Sequence, residues 1–202
     1  MGVNETDALR IQQNELIRAL QRTLELHCPG EADHAERVAV YSVATAHELG
    51  VSEAELLDIR RAAALHDIGK VAVDRDLLVK PGGLSDEDIV ALRLHAELSI
   101  RVLEGIEWLA EAALIVRHHH EHWDGGGYPD GLQGDEIPLG SRIIGVAEAF
   151  DVMTMASPFR ELRMPEEALA ELQRCAGTQF DPGVVSAFGR IQALVQPIGM
   201  KG

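Results

Sequence analysis

Residues Arg117 to Pro138 read R-H-H-H-E-H-W-D-G-G-G-Y-P-D-G-L-Q-G-D-E-I-P. The first half of this stretch is rich in imidazole and carboxylate side chains, and the second half is rich in glycine and proline. Since glycine and proline disfavour the interior of a helix, regular structure should stop near His122. The stretch therefore predicts a long ordered loop that starts at a helix end and carries titratable groups.

On both sides of this loop, apolar residues recur at the spacing of amphipathic helices. The predicted helices cover about Asp7 to Leu26, Glu31 to Leu49, Ser52 to His66, Ser85 through His95, Trp108 to His120 and Ser141 to Ala156, with two more that begin at Pro165 and Pro182. Gly69 is placed as the glycine that terminates the third helix. No segment shows the sustained alternation of a strand, so the sequence predicts an all-α fold.

Length and composition indicate a single globular domain, because 202 residues with 46% hydrophobic and 25% charged residues are ordinary for one core. A net charge of -15 argues against nucleic-acid polymers and anionic membranes as partners. No apolar run approaches the roughly 20 residues of a membrane helix. Cys28 and Cys175 form no C-x-x-C pair, which suits a reducing compartment. We therefore expect a soluble cytoplasmic protein.

Several histidines lie at or near helix ends that flank glycine-containing loops: His34, His66, His95, His118, His119 and His120. An isolated histidine on an apolar face is more often a packing residue. Together with Asp67 and Glu148, however, these side chains offer the nitrogen and oxygen ligands preferred by iron, manganese, nickel or zinc. Asp67 is suited to bridge two metal ions roughly 3.5 to 4 Å apart, and the pair would activate a shared water. Lys70 would then meet a phosphate oxygen as a point charge.

Ordered motifs run from about Leu26 to the end of the chain: His34-x-x-Arg37-Val38, Ala64-Leu65-His66-Asp67-Ile68-Gly69-Lys70, Leu78-x-Lys80-Pro81-Gly82, His95, His119-His120-Glu121-x-Trp123-Asp124-Gly125-x-Gly127-Tyr128-Pro129-x-Gly131-Leu132, Arg142-Ile143 and Phe180-Asp181-Pro182. This set resembles the HD-GYP subset of the HD-domain phosphohydrolases, which is named for its His-Asp pair and Gly-Tyr-Pro turn. The resemblance implies an all-α HD-domain helical bundle with an HD-GYP-type ordered loop. Residues 1–202 would form a single HD-GYP domain, with residues 1–26 as an N-terminal helix and residues 27–202 as the catalytic core.

The resemblance also implies a metal centre with two divalent ions, with iron or manganese favoured and nickel or zinc as alternatives. One ion would be held by His34, His66, Asp67 and Glu148, and the other by Asp67, His95, His119 and His120. The family's activity would be hydrolysis of cyclic di-GMP to pGpG or GMP, through attack by a hydroxide that bridges the metals. Asp67 and Lys70 would be catalytic, and Lys70 and Arg160 would hold the phosphate. The histidines that match no ligand position, and are interpreted as solvated or packing residues, are His27, His47, His118 and His122.

Two other functions stay open at this point. The same centre could hydrolyse another cyclic dinucleotide or nucleotide phosphate, or the domain could be a low-turnover module that binds the messenger and signals. In the family, the turn that corresponds to Gly127-Tyr128-Pro129 is linked with binding partner domains such as diguanylate cyclases.

Three positions depart from the family pattern. Glu148 stands where the family usually has Asp, which keeps the charge but adds a methylene. Gly30 stands where members with three metals carry Glu, although Glu31 is one residue away, so two metals are expected. Ser157 stands where the family usually has a phosphate-facing arginine, and Arg160 is the arginine of this segment that remains. The lost contact would cost about 1.5 to 3 kcal/mol of ligand binding.

Overall fold

The computed structural model describes residues 4–80, 83–155 and 162–192. These ranges contain ten α-helices: α1 (Glu5–His27), α2 (Glu31–Glu48), α3 (Glu53–Leu65), α4 (Arg75–Leu78), α5 (Asp86–Arg93), α6 (His95–Leu103), α7 (Ala110–Arg117), α8 (Leu139–Thr154), α9 (Pro165–Arg174) and α10 (Pro182–Gln192). Short 3-10 helices lie at Ile68–Ala72, Glu107–Leu109 and Gly134–Glu136. No β-strand occurs in the described ranges, which confirms the predicted all-α fold.

Helix α2 is the centre of the bundle and packs against α1, α3, α8 and α10. Its Tyr41 meets Phe150 of α8 and Phe188 of α10, with ring centroids 5.4 and 5.9 Å away, and the two phenylalanine rings are 5.0 Å apart. All three rings are buried. Such aromatic contacts add about 0.5 to 1.5 kcal/mol per pair to the burial of apolar area. This core fixes α2 against α8, the two helices that carry His34 and Glu148.

Four of the predicted helix starts agree with the structure. Ser52 and Ser85 each accept a hydrogen bond from the backbone N–H three residues later, and the acid at that position bonds back to the serine N–H. These capping boxes satisfy backbone groups that a helix start leaves unpaired. Pro165 and Pro182 open α9 and α10, where a missing N–H costs nothing.

The predicted role of Gly69 was wrong. Helix α3 ends at Leu65, and Gly69 lies inside the 3-10 helix that follows, without the positive φ of a helix-terminating glycine. A Cβ at this position would overlap the carbonyl oxygen of His95 and lie 2.5 Å from the backbone nitrogen of Ser99. The Gly69 N–H instead donates to Ser99 Oγ at 2.9 Å. The glycine is therefore needed for the close approach of α6, which brings His95 next to Asp67.

Two predicted helices are shorter than expected. The segment from Ser85 through His95 forms two helices, because α5 ends at Arg93 and His95 is the first residue of α6. The helix predicted from Trp108 begins at Ala110 and ends at Arg117. The three consecutive histidines therefore follow the last turn of α7, and two of them, His119 and His120, lie next to His95.

No helix among the described residues is both long enough and apolar enough to cross a bilayer. Cys28 and Cys175 are both free thiols. The cytoplasmic location and the division of the chain at residue 27 stay predictions.

Candidate metal centre

Three buried histidines share one local geometry. Each ring points Nδ1 at the carbonyl oxygen three residues earlier in the chain: His66 at Ala63 (2.9 Å), His95 at Leu92 (2.7 Å) and His119 at Val116 (2.5 Å). A carbonyl oxygen can only accept, so Nδ1 carries the proton and Nε2 presents its lone pair. Fixing the tautomer in this way is what a metal-ligating imidazole requires.

The first group of possible ligands consists of His95, His119 and His120, whose ligand atoms lie within 4.8 Å of one another. Nε2 of His120 lies 3.1 Å from Nε2 of His95. Burial lowers the pKa of His120 to about 4, and burial and the neighbouring imidazoles hold the pKa of His119 well below its usual value. These rings are therefore neutral at pH 7 and can bind a cation without first losing a proton.

The second group consists of His34, His66 and Glu148, again with ligand atoms within 4.8 Å of one another. The rings of His34 and His66 meet edge to face with their centroids 5.2 Å apart. Burial opposes protonation of His66, but the carboxylates of Asp67 and Glu148 outweigh it and raise its pKa to about 9. Two nitrogens and one oxygen in this arrangement suit a divalent transition metal.

Asp67 lies between the two groups. Its Oδ2 is 3.2 Å from His66 Nε2, and its Oδ1 is 3.4 Å from His95 Nε2. The side chain is buried, and burial would raise the pKa of this carboxyl, but the positive charges of Lys70 and its histidine neighbours hold that pKa well below the usual value. An ionised carboxylate with one oxygen towards each group has the position of a bridging ligand.

The residues present fit a metal centre, and unpaired buried atoms give the clearest sign. Nε2 of His66, Nε2 of His119 and Oδ1 of Asp67 are inaccessible to solvent and have no hydrogen-bond partner. A buried polar atom without a partner costs about 1 to 3 kcal/mol. His119 Nε2 and Asp67 Oδ1 are electron-pair donors, and His66 Nε2 becomes one when its proton leaves, so cations would satisfy all three atoms.

Lys70 is paired within the site. Its ammonium lies 2.7 Å from Asp67 Oδ2 and 2.9 Å from Glu31 Oε1. Burial opposes the charge of Lys70, yet these two carboxylates raise its pKa. Glu31, His34 and Asp67 also form a third group of possible ligands within 4.8 Å. The lysine therefore already supplies a positive charge at this third group.

A second carboxylate on α8 supports the site and was not predicted to be functional. Asp151 accepts a hydrogen bond from Nδ1 of His34 at 2.7 Å and two from the guanidinium of Arg37 at 2.7 and 2.9 Å. A sequence signal was available, since Asp151 lies one helical turn after Glu148 and Arg37 lies one turn after His34.

The glycine-rich loop covers the first ligand group. The Tyr128 ring stacks on His120 with centroids 4.8 Å apart, and the guanidinium of Arg93 lies 4.9 Å from the centre of the tyrosine ring. A Cβ on Gly127 would overlap the backbone N–H of His122, so only glycine allows the turn to lie this close. Tyr128 thus packs against His120, one of the possible metal ligands, from outside the first group.

Four side chains anchor this loop to the end of α7 and to the residues that follow it. Glu121 Oε1 accepts from the backbone N–H groups of Asp130 and Gly131 at 2.7 and 3.0 Å. Asp130 in turn pairs with both nitrogens of the Arg117 fork, each at 2.8 Å, and with His118 Nε2 at 2.8 Å. His118, predicted as a bystander among the three consecutive histidines, therefore belongs to the anchor of the loop.

A cavity of about 200 Å³ opens beside Glu148 and the ligand histidines. Trp123, Arg142 and Asp181 also line the cavity, and Arg142 Nη1 donates a hydrogen bond to Asp181 at 2.8 Å. Arg142 also lies over the Trp123 ring at 5.5 Å. A planar, polar ligand has both a ring face and charged groups to meet in this cavity.

The structure brings together the predicted metal ligands, which are His34, His66, Asp67, His95, His119, His120 and Glu148. Arg160 and Ser157 lie outside the described residues, so the predicted phosphate contact of Arg160 stays a prediction. The histidines that lie outside the three ligand groups are His27, His47, His118 and His122.

A sequence profile of the HD domain matches residues 18–184. The chain belongs to the HD-domain family. Its His-Asp pair and Gly-Tyr-Pro turn, with the relatives described below, assign it to the HD-GYP subset of that family.

This HD domain is 37% identical over 189 residues to the cyclic di-GMP phosphodiesterase response regulator RpfG of Xanthomonas campestris pv. campestris, a match that covers 93% of the chain and 50% of that protein. It is 38% identical over 161 residues to a cyclic di-GMP phosphodiesterase of Thermotoga maritima, covering 79% of the chain and 44% of that protein. A solved cyclic GMP-AMP specific phosphodiesterase of Vibrio cholerae is similar with a TM-score of 0.63 and 25% identity, covering 88% of this chain and 48% of that one. The chain thus spans about half the length of these relatives.

Proposed function

We propose that this HD domain is a metal-dependent phosphodiesterase that hydrolyses cyclic di-GMP to pGpG, GMP or both. The observation that carries the proposal is the position of Asp67 between two groups of possible ligands, with Oδ2 near His66 and Oδ1 near His95. Similar proteins named as cyclic di-GMP phosphodiesterases support the choice of substrate.

Two divalent ions would use the ligand atoms that the chain leaves unpaired. One would be held by His34, His66, Asp67 and Glu148, and the other by Asp67, His95, His119 and His120. When bound, such ions supply a water nucleophile at neutral pH and neutralise charge on the phosphoryl group. The chain itself holds the imidazole tautomers through Nδ1 and places Lys70 2.7 Å from Asp67, where its charge can meet a phosphate oxygen.

We propose two ions rather than three because the ammonium of Lys70 lies between Glu31 and Asp67 at the third ligand group. A third cation at this group would either displace the Lys70 ammonium or be repelled by its positive charge. Imidazole and carboxylate ligands suit iron or manganese, with nickel or zinc as alternatives.

An alternative substrate is another cyclic dinucleotide, and the similar cyclic GMP-AMP specific phosphodiesterase of Vibrio cholerae favours it. Glu148 also reaches one methylene further than the aspartate expected from the family pattern, which would alter the spacing at the second ligand group. A low-turnover binding module is the other alternative, since the anchored loop around Tyr128 offers a rigid surface.

The test begins with protein purified without added metal, followed by elemental analysis. Metal-loaded protein is then given cyclic di-GMP and cyclic GMP-AMP, with products separated by chromatography. Asp67→Ala should lower kcat/KM by about 100-fold or more, because both groups lose their shared carboxylate. Asp58→Asn, which removes a partner of Arg61 away from the ligand groups, is the control and should keep wild-type activity.

If metal-loaded wild type left both nucleotides intact, the phosphodiesterase proposal would fail. Tight binding of a nucleotide with no product would instead favour the binding module. Preference for cyclic GMP-AMP over cyclic di-GMP would select the alternative substrate.

We also propose that the Gly127-Tyr128-Pro129 turn meets a second signalling protein such as a diguanylate cyclase. The neighbouring Asp124, Gly126 and Asp130 are exposed, so the turn is accessible while Tyr128 is held from beneath. Titration of a purified diguanylate cyclase should give a weaker affinity for Asp124→Lys than for wild type, with metal content unchanged. Equal affinities would argue against this surface.

A further inference from the structure

Asp151 has both of its carboxylate oxygens engaged although it is only 1% exposed. Oδ1 accepts from Nε of Arg37 at 2.7 Å, and Oδ2 accepts from Nη2 of Arg37 at 2.9 Å and from Nδ1 of His34 at 2.7 Å. Burial of this carboxyl would raise its pKa, but the bonds from His34 and Arg37 lower it. Asp151 is thus a buried anion fixed in one orientation by a bidentate guanidinium.

The bond to Asp151 decides which nitrogen of His34 faces the ligand group. An ionised carboxylate only accepts, so Nδ1 of His34 carries the proton and Nε2 keeps its lone pair. His66, His95 and His119 fix the same tautomer with neutral backbone carbonyls of their own segments. His34 alone among these four rings uses a charged group from another helix, which polarises the imidazole more strongly and fixes its orientation as a metal ligand.

Matched spacing on two helices produces this arrangement. Helix α2 carries His34 and, one turn later, Arg37, while α8 carries Glu148 and, one turn later, Asp151. Residues three apart lie on the same face of a helix, so each helix presents one member of the ligand group and one supporting residue. The Tyr41–Phe150 contact holds these faces together from the core side.

We propose that Asp151, held in place by Arg37, is a positioning residue for His34 that tunes the affinity of the ion bound by His34, His66 and Glu148. This inference rests on the proposed metal centre. A carboxylate that accepts a hydrogen bond from a metal-bound histidine orients the ring, and we assign this role to Asp151 with Arg37. Mutation of such a carboxylate costs about 10- to 100-fold in metal affinity.

A purely structural pair would have a different signature. The Arg37–Asp151 pair also ties α2 to α8, so its loss would lower the stability of the metal-free protein whether or not His34 binds metal. Metal affinity is the readout that separates the two roles. Asp151→Asn keeps the shape of the side chain but removes its charge and one of its acceptor oxygens.

The experiment measures competition between each protein and a fluorescent chelator for Mn²⁺, together with thermal unfolding of the metal-free proteins. We expect Asp151→Asn to bind one of its two ions about 10- to 100-fold more weakly than wild type and the other with unchanged affinity. Asp151→Glu, which restores the charge, should recover part of the loss. Asp58→Asn weakens a single Arg–Asp contact away from the ligand groups, between Asp58 and Arg61 at 3.2 Å, and should bind both ions as wild type does.

Unchanged affinity for both ions in folded Asp151→Asn would overturn the positioning role. Arg37→Gln removes the guanidinium that fixes the orientation of Asp151 and provides a second comparison if Asp151→Asn does not fold. The proposal expects weaker binding of one ion in this variant, so a wild-type affinity would also count against it. The proposed function is judged separately. Wild type that binds both ions but hydrolyses no cyclic dinucleotide would remove the phosphodiesterase assignment and leave the positioning role intact.

Discussion

At the scale of single residues, one missing side-chain atom decides how near α6 lies to the His66-Asp67 pair. Gly69 packs against the backbone of His95 and Ser99, and a Cβ there would overlap atoms that belong to the main chain. Backbone atoms cannot move aside by changing rotamer as a flexible side chain can. The separation between the two ligand groups therefore depends on this position.

Gly69→Ala should destabilise the metal-free protein by about 1 to 3 kcal/mol, the usual cost of forcing an extra methyl group into a packed site. It should also weaken metal binding, because α6 carries His95 and would have to shift. Urea unfolding and metal titration measure the two effects. The matched control is Gly83→Ala, where no atom lies within 4 Å of the added Cβ, and its stability should stay within about 0.5 kcal/mol of wild type. Equal effects at both glycines would contradict this account.

The candidate ligand residues could be predicted because their motifs resemble those of a known family, while the sequence by itself indicated only that histidines and acidic residues gather near helix ends. The imidazole tautomers could not, since they depend on which carbonyl or carboxylate each Nδ1 meets in space. Asp151 shows the limit most clearly, because its spacing from Glu148 placed it on the same face of α8, but it is 117 residues from His34 and no local pattern shows that these two side chains meet. The pairing of Lys70 with Glu31 was missed for the same reason.

At the scale of elements, the ends of helices set the directions of the ligands. The sequence predicted an ordered loop after His122, and the structure describes that loop throughout. It did not predict that α7 would stop at Arg117 or that α5 and α6 would separate before His95. Helical periodicity continues through both breaks, so only tertiary contacts such as the His118–Asp130 bond distinguish a helix end from a further turn.

The anchor of the loop predicts a dependence of stability on pH. Hydrogen bonds from Arg117 and His118 lower the pKa of Asp130 to about 2, below the ordinary value of 3.8. A carboxylate with a depressed pKa stabilises the folded state fully above the unfolded pKa, and this stabilisation is lost as the pH falls towards the folded pKa. The difference in stability between wild type and Asp130→Asn should therefore be larger at pH 6 than at pH 3.

Urea unfolding at the two pH values measures this difference. Asp135→Asn is the control on the same loop, because the Asp135 side chain is 89% exposed and its pair with Arg142 is a surface contact. A difference for Asp130→Asn that stays constant from pH 6 to pH 3 would show that the carboxylate does not anchor the loop.

At the scale of the whole molecule, folding gathers charges that repel each other. The chain has a net charge of -15, and the site places some of its carboxylates in buried positions beside close imidazoles. The hydrophobic core formed by α2, α8 and α10 has to hold these groups in place. Divalent cations that bind only the folded state would reduce the repulsion between these carboxylates. They would stabilise the protein by about 2.7 kcal/mol at a free concentration of 100 times Kd.

This stabilisation by metal should increase with pH. In the metal-free protein the pKa of His66 is raised to about 9, so its stabilising charge is fully present below the unfolded value of 6.5 and is lost as the pH rises through 9. A metal ion binds only the neutral ring and must displace that proton, so binding gains up to about tenfold per pH unit in this range. Thermal unfolding with and without Mn²⁺ at pH 6.5, 7.5 and 8.5 should show a difference that grows with pH. His47→Gln, a substitution at an exposed histidine outside the ligand groups, should reproduce the wild-type trend. If the difference between unfolding temperatures with and without Mn²⁺ did not change with pH, His66 would be excluded as a metal ligand that exchanges its proton.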